Sequence, residues 1–502
     1  MKRILFSSIL ALAPLSAMAD ITTDKIYADH MVLQRGREVP VSGTCTGTEA
    51  VTVSFNGQKV TATVTDGRWT ATLAPMKANA KGQTLTITQG KDSLSLKDVL
   101  VGEVWIASGQ SNMLWRLNQT GDTNSLREAE SPQFRFYHSE PQVHTAPAAY
   151  GQREKNILDN RAMYQGSWSR NNQQTRARMS AVGYYFGREL QKRLGVPVGV
   201  IHAALGGSEM MAWMPSEVLN EKYPECTTEK WLDSKYMSDW VRGRARQNIG
   251  ADLNAPHPYK PAYLFETGIR PWLNFPVAGV IWYQGESDAE IQDMEQNYTL
   301  LSDLITGWRN AFGNPDMPFI QVELPRINDR SKLRAYWPEF RTVQRRAAGL
   351  RNTYAVTTID LGSTNSDVHP PRKLEVGTRL ANLAAAKVYD KKAACTGPVV
   401  TKVVPQGNKL RVYFGYNKGL KTNNGKAPVG FEVSADGQTF HPASAVIRNH
   451  HVELTCPQVE KPRYARYGWY TYMEPNLVNE TGLPAQPYAH QFTPESGDGM
   501  DK

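Results

Sequence analysis

Four cysteines in 502 residues are too few and too scattered to organise a fold. Cys45, Cys226, Cys395 and Cys456 match neither the paired spacing of a zinc site nor a dense disulfide framework. Cys395 and Cys456 share one region, and an oxidising compartment would allow them to pair. Charge runs are also missing. The chain carries a net charge of +9, two of it from Lys2 and Arg3, but no stretch of five or six basic residues, so nucleic acid is not an expected partner. After the first twenty residues no apolar run reads as a membrane span. Nor is the composition that of a disordered chain: 40% of residues are hydrophobic and 21% charged, as in a soluble globular protein.

The opening segment, "MKRILFSSILALAPLSAMAD", has two basic residues, an apolar run and the small-residue pattern Ala17-Met18-Ala19. It reads as a secretory signal peptide over residues 1–19, and no cysteine follows that would carry a lipid anchor. The expectation is an exported protein, periplasmic or extracellular.

A length of 502 residues suggests two to four domains, and the pattern divides into three. Residues 20–97 are short alternating segments such as "AVTVSFNGQKV", with the hairpin signals Asn56-Gly57 and Asp66-Gly67, and read as a β-sandwich domain. Over residues 98–392, apolar β-branched runs ("VLVGEVWIA", "GVPVGVIHAAL", "FPVAGVIWYQ", "MPFIQVEL", "NTYAVTTIDLG") alternate with helical stretches ("SAVGYYFGRELQKRLG", "NYTLLSDLITGWRNAFG", "KLEVGTRLANLAAAKVYD"). That alternation predicts an α/β domain with a parallel, doubly wound sheet. Residues 393–495 return to short strands and read as a second all-β domain.

Ligands of open α/β sheets bind beyond the carboxyl ends of the strands, so the residues at each exit are the candidates. The first exit carries Gly109-Gln110-Ser111-Asn112, the second Gly206-Gly207-Ser208 and the third Gln284-Gly285-Glu286. After the last run comes Asp367, two residues before His369. A serine hydroxyl needs an adjacent base, and that base needs a group to orient it; Ser111, His369 and Asp367 are of those types. The backbone of Ser111 and Gly207 and the side chain of Gln284 are of the kind that stabilises an oxyanion.

Each residue also has an ordinary structural role open to it. Ser111 suits a turn or a helix N-cap, His369 a loop before a helix, and Gln284 and Glu286 a cap on the helix that follows. Trp105 reads as core, whereas Trp213 and Trp282 fit either the core or a sugar-stacking platform. His202, inside an apolar run, reads as a satisfied core histidine.

The blocks "GEVWIASGQSNM", "GGSEMMAW", "IWYQGESDA" and "DVHPPRKLEVGTRLA", in that order, resemble the signature blocks of SGNH-type carbohydrate esterases, and specifically the sialate O-acetylesterase family. The resemblance extends to "ADHMVLQRGREVPVSG" and "RYGWYTYMEPNLVNETGLPAQPY" near the two ends. It implies a flavodoxin-like SGNH hydrolase domain flanked by two all-β domains, with no metal and no organic cofactor. By the same resemblance Ser111 is the nucleophile and His369 the general base. Gly207 and Gln284 are then oxyanion donors, with Gly206 and Glu286 as neighbours at the substrate. The wider SGNH pattern has an acid three residues before the histidine; Ser366 stands there in this chain, so Asp367 orients His369, or Ser111 and His369 act as a dyad with a carbonyl as orienter.

The expected activity is a secreted serine esterase removing O-acetyl groups from a sugar or glycan, sialic acids or a plant polysaccharide such as xylan. Two readings from other classes are a glycosidase using Glu286 and Glu323, and a non-catalytic glycan-binding protein.

Overall fold

The computed structural model describes residues 21–489. The expected signal peptide and the polar tail "SGDGMDK" lie outside the described residues, and no helix among the described residues is long and apolar enough to cross a membrane.

Seven strands form the central sheet: β1 (Asp92–Gly109), β2 (Ser131–Pro141), β3 (Tyr164–Asn171), β4 (Val198–Ala204), β5 (Gly279–Tyr283), β6 (Phe319–Val322) and β7 (Thr353–Val356). Their order is β3-β2-β4-β1-β5-β6-β7, and every neighbouring pair is parallel except β2 with β3. From β1 the chain therefore winds outward in both directions.

The continuous apolar runs follow from burial on both faces. Val104 and Ile106 of β1, Ile201 and Ala203 of β4, and Val280 and Trp282 of β5 point into one hydrophobic cluster; Trp105, Ala107, Val200, Ala204, Ile281 and Tyr283 point into the other. Period-two alternation thus feeds two cores, and no position of β4, β5 or β6 is left for solvent.

Five helices bear on the site: α1 (Ser111–Leu114), α2 (Ala181–Leu194), α3 (Met294–Ala311), α4 (Trp337–Ala347) and α5 (Lys373–Lys387). Helix α2 starts where the Ser180 hydroxyl accepts from Gly183 N (3.1 Å) and stops at Gly195 in the left-handed region, φ 65°. Val376, Leu380, Leu383 and Ala384 of α5 share a cluster with Val182, Tyr185 and Phe186 of α2, so these two helices cover one face of the sheet. Leu300, Leu301, Leu304 and Trp308 of α3 and Phe340 and Val343 of α4 cover the other.

The flanking regions are β-rich. Asn56 and Gly57 (φ 50° and 78°) turn the hairpin between Val51–Phe55 and Gln58–Ala62, and Asp66 and Gly67 (φ 51° and 71°) turn the next. The 18 residues of β1 run through the expected division at residue 97: the first half pairs antiparallel with Asn79–Gln89, the second enters the parallel sheet. Beyond α5, short antiparallel strands enclose their own cluster around Leu410, Val412, Val433, Val452 and Tyr467. Cys395 and Cys456 do not pair; all four cysteines are free thiols.

Strands β2 and β3 carry no strand signal in the sequence. Their residues, "SPQFRFYHSEP" and "YQGSWSRN", contain proline or glycine among polar side chains, and they pair as an antiparallel unit at the rim of the sheet, where such residues are tolerated.

Candidate active site

Three neighbouring strands end in one row. In register, Ala204 of β4 lies beside Gly109 of β1, and Gly109 beside Tyr283 of β5. The next residues of each strand therefore leave the sheet side by side: Gln110-Ser111, Leu205-Gly206-Gly207, and Gln284-Gly285-Glu286. Gly109 is required at this crowded row. Its φ is 138°, and a Cβ there would fall 2.1 Å from the Tyr283 carbonyl oxygen.

Ser111, Gly206, Gly207, Glu286 and His369 line one cavity of about 270 Å³ together with Gln110, His144, Trp240, Tyr259, Arg334 and Val368. Ser111 is the first residue of α1 rather than its N-cap, which is Gln110. Gly206 lies against it: a Cβ on Gly206 would sit 3.6 Å from the Ser111 Cβ. Gly207 has φ 75°, and a Cβ there would meet the Tyr259 hydroxyl at 2.2 Å and the Trp240 ring at 2.6 Å. Tyr259 in turn donates to the Gly206 carbonyl (2.8 Å) and the Ser287 hydroxyl to the Gly207 carbonyl (3.2 Å). Both glycine carbonyls thus have donors on the protein side.

His369 stacks on Trp115, the residue closing α1, with centroids 4.9 Å apart and planes 16° from parallel. Asp367 accepts the backbone N–H of His369 at 2.9 Å, and its carboxylate lies 3.4 Å from His369 Nδ1. That second separation is long for a hydrogen bond, and the Asp367 side chain is 57% exposed. Burial lowers the His369 pKa below the ordinary imidazole value; the charge of Lys373 lowers it further, and Asp367 opposes both. His369 is therefore held neutral, the form in which an imidazole accepts a proton.

Two expected residues are placed elsewhere. Gln284 is buried beneath the cavity rather than lining it: its amide donates to the Ser208 carbonyl (3.2 Å) and to the Asp288 carboxylate. In that position it braces the turn that carries Gly207. Glu323 is fully buried, paired with Arg345, and absent from the cavity wall, so it and Glu286 do not form the carboxylate pair a glycosidase requires.

Glu286 reaches the cavity from a buried network. Its Oε1 accepts from Asn112 Nδ2 (2.5 Å), and burial holds its carboxyl above the usual carboxylate range against the Asn112 bond and the Lys373 charge. Trp213 and Trp282 resolve as core, packed edge to face with centroids 6.1 Å apart, alongside the expected core residue Trp105. His202 is a core histidine: it is fully buried and stacks on His138 with ring centroids 5.4 Å apart, and burial drives its pKa far down against a backbone hydrogen bond with Met113. Trp115, His144, Trp240, Tyr259, Arg334 and Lys373 come to the site without a motif in the sequence that nominates them. Only "RK" of "HPPRK" and the position of Trp115 four residues after Ser111 were available as signals.

Comparison with known proteins finds carbohydrate esterases. The family model for carbohydrate esterases described as sialic acid-specific acetylesterases matches residues 264–386, the part holding Gln284, Glu286, Asp367 and His369. Sialate O-acetylesterases from Pongo abelii and Homo sapiens are each 27% identical to the chain; the alignments cover 92% and 94% of this chain and 90% and 92% of theirs. A carbohydrate acetylesterase from Xanthomonas citri has a similar structure, with a TM-score of 0.76 and 29% identity, covering 93% of this chain and 99% of that one. The chain is accordingly an α/β carboxylic ester hydrolase similar to the sialate O-acetylesterases and to carbohydrate acetylesterases.

Proposed function

We propose that the protein is an exported serine esterase that removes O-acetyl groups from sugars, with an SGNH-type, flavodoxin-like catalytic domain between two all-β domains. The observation that carries this reading is the single cavity shared by Ser111, His369 and the Gly206-Gly207 turn at the in-register ends of three adjacent parallel strands. O-acetylated sialic acid is the first choice of substrate, following the printed activity of the curated relatives; acetylated polysaccharide such as xylan is the alternative. Export follows from the signal-like residues 1–19.

The chemistry follows from the placement. His369 takes the proton of the Ser111 hydroxyl as Oγ bonds to the acetyl carbonyl carbon, and the carbonyl oxygen becomes an oxyanion. Backbone N–H groups of Ser111 and Gly207 stabilise that charge, with Gln284 holding the Gly207 turn through Ser208. Collapse breaks the carbon–oxygen bond to the sugar, and His369 returns the proton to the leaving hydroxyl. A water, deprotonated by His369, then releases acetate and regenerates Ser111.

The test is acetate release from acetylated sialoglycoprotein and acetylated xylan by the wild type and by Ser111→Ala. The wild type is expected to release acetate, preferentially from the sialoglycoprotein, and S111A to lose at least about a thousandfold in kcat. Equal release by S111A would remove the serine mechanism, and preference for xylan would move the substrate to the alternative.

A further inference from the structure

A lysine ammonium buried without solvent contact is costly, and this chain keeps one directly behind its cavity. Lys373, the second residue after Pro371 and the start of α5, is fully buried. Its Nζ donates to Asn112 Oδ1 and lies 5.4 Å from the centre of the Tyr283 ring. Asn112 is the residue after Ser111, is itself fully buried, and does not line the cavity. With its oxygen taken by Lys373, its amide nitrogen is fixed in direction and donates twice: to Glu286 Oε1 (2.5 Å) and to the carbonyl of Val368 (3.0 Å), the residue before His369. One amide therefore joins the loop of the nucleophile, the loop of Glu286 and the loop of the base. An asparagine oriented the other way would aim its oxygen at the Val368 carbonyl and the Glu286 carboxylate, so the lysine selects the useful orientation.

The geometry points to Lys373 as a positioning residue for the esterase reaction: by holding the Asn112 amide it fixes the Ser111 and His369 loops against each other from behind the cavity. This rests on the reading of Ser111 and His369 as nucleophile and base. The lysine also acts on His369 through charge. His369 faces Asp367 on its own loop, Arg334 across the cavity, and Lys373 from α5, and the Lys373 and Arg334 charges both disfavour imidazolium. Lys373 itself faces Glu286 and Asp367, which offset the effect of burial; burial pushes its pKa down to about 7.

The test is steady-state hydrolysis of a chromogenic acetate from pH 5 to 9 by the wild type, Lys373→Met, Lys373→Arg, Asn112→Asp and Ser111→Ala, each checked by circular dichroism and thermal melting. K373M keeps an unbranched apolar stem, one atom shorter, and loses the charge. It is expected to lower kcat at least about tenfold with KM within about twofold. The acid limb of its kcat/KM profile should move to higher pH, since removing a positive charge lets His369 protonate more readily. K373R should keep that limb at the wild-type position. If K373M does not fold, N112D decides: it retains an acceptor for Lys373 but loses both donated bonds, and should show the same fall in kcat with little change in KM. A wild-type kcat and an unmoved acid limb in folded K373M, or a wild-type kcat in N112D, would overturn the positioning role. Activity persisting in S111A would overturn the serine reading and the inference with it, so the two failures are told apart.

Discussion

At the scale of single residues, the contact between Asp367 and His369 decides between triad and dyad. A buried triad aspartate bonded to its histidine is worth about 10⁴ in kcat. Asp367 is more than half exposed and 3.4 Å from Nδ1, with its clear hydrogen bond going to the His369 backbone. The stacked Trp115 ring and the backbone bond carry much of the orientation instead. Asp367→Asn is therefore expected to cost less than about tenfold in kcat, measured on the chromogenic acetate; a loss near 10⁴ would restore the triad. The lowered His369 pKa gives a second expectation. A base is active when unprotonated, so a folded pKa below the ordinary 6.5 extends activity downward, and the acid limb of kcat/KM should have its midpoint below pH 6.5.

At the scale of elements, the site is a product of strand ends that cannot accept side chains. Gly207 stands at φ 75° with Tyr259 and Trp240 packed over the position its Cβ would take. Gly207→Ala adds a left-handed alanine, at about 1 kcal/mol, to a clash that must displace both rings. The expected result is a loss of about 2 kcal/mol or more in unfolding free energy, read by urea denaturation, together with a fall in kcat if the Gly207 turn holds the oxyanion as proposed. The same crowding explains the glycine at the end of β1, where Gly109 meets the Tyr283 backbone.

At the scale of the whole molecule, the carboxyl-terminal β region is tied to the catalytic core by a buried cation. Arg341 of α4 is almost fully buried and donates to the carbonyls of Leu324 (2.8 Å) and Pro325 (2.8 Å) on one side and Tyr470 (2.9 Å) on the other. Ile359, just after β7, packs inside the carboxyl-terminal cluster. Arg341→Ala leaves the buried carbonyls of Leu324 and Pro325 and the half-buried one of Tyr470 without this donor and should cost about 3 kcal/mol or more, seen as a large fall in Tm. An unchanged Tm would show that the two parts are held by apolar contact alone.

Much of this protein was legible in its sequence because the relevant physics is local or periodic. Apolar runs bounded by turn residues announced β1, β4, β5, β6 and β7, helical spacing announced α2, α3 and α5, and Asn-Gly and Asp-Gly announced two hairpins. Ser111, Gly207 and His369 could be nominated because strand exits carry ligands in open sheets. Tertiary structure alone decided the rest. The pairing of β2 with β3 depends on a rim that polar residues can occupy, and the direction of the Gln284 amide depends on Asp288 and Ser208 beneath the cavity. The fate of Glu323 and the assembly of Lys373, Asn112 and Glu286 depend on contacts between segments far apart in the chain. Sequence spacing fixes which residues leave a strand end, whereas hydrogen-bond direction and burial, which separate a braced amide from an oxyanion donor, exist only after the loops have packed against one another.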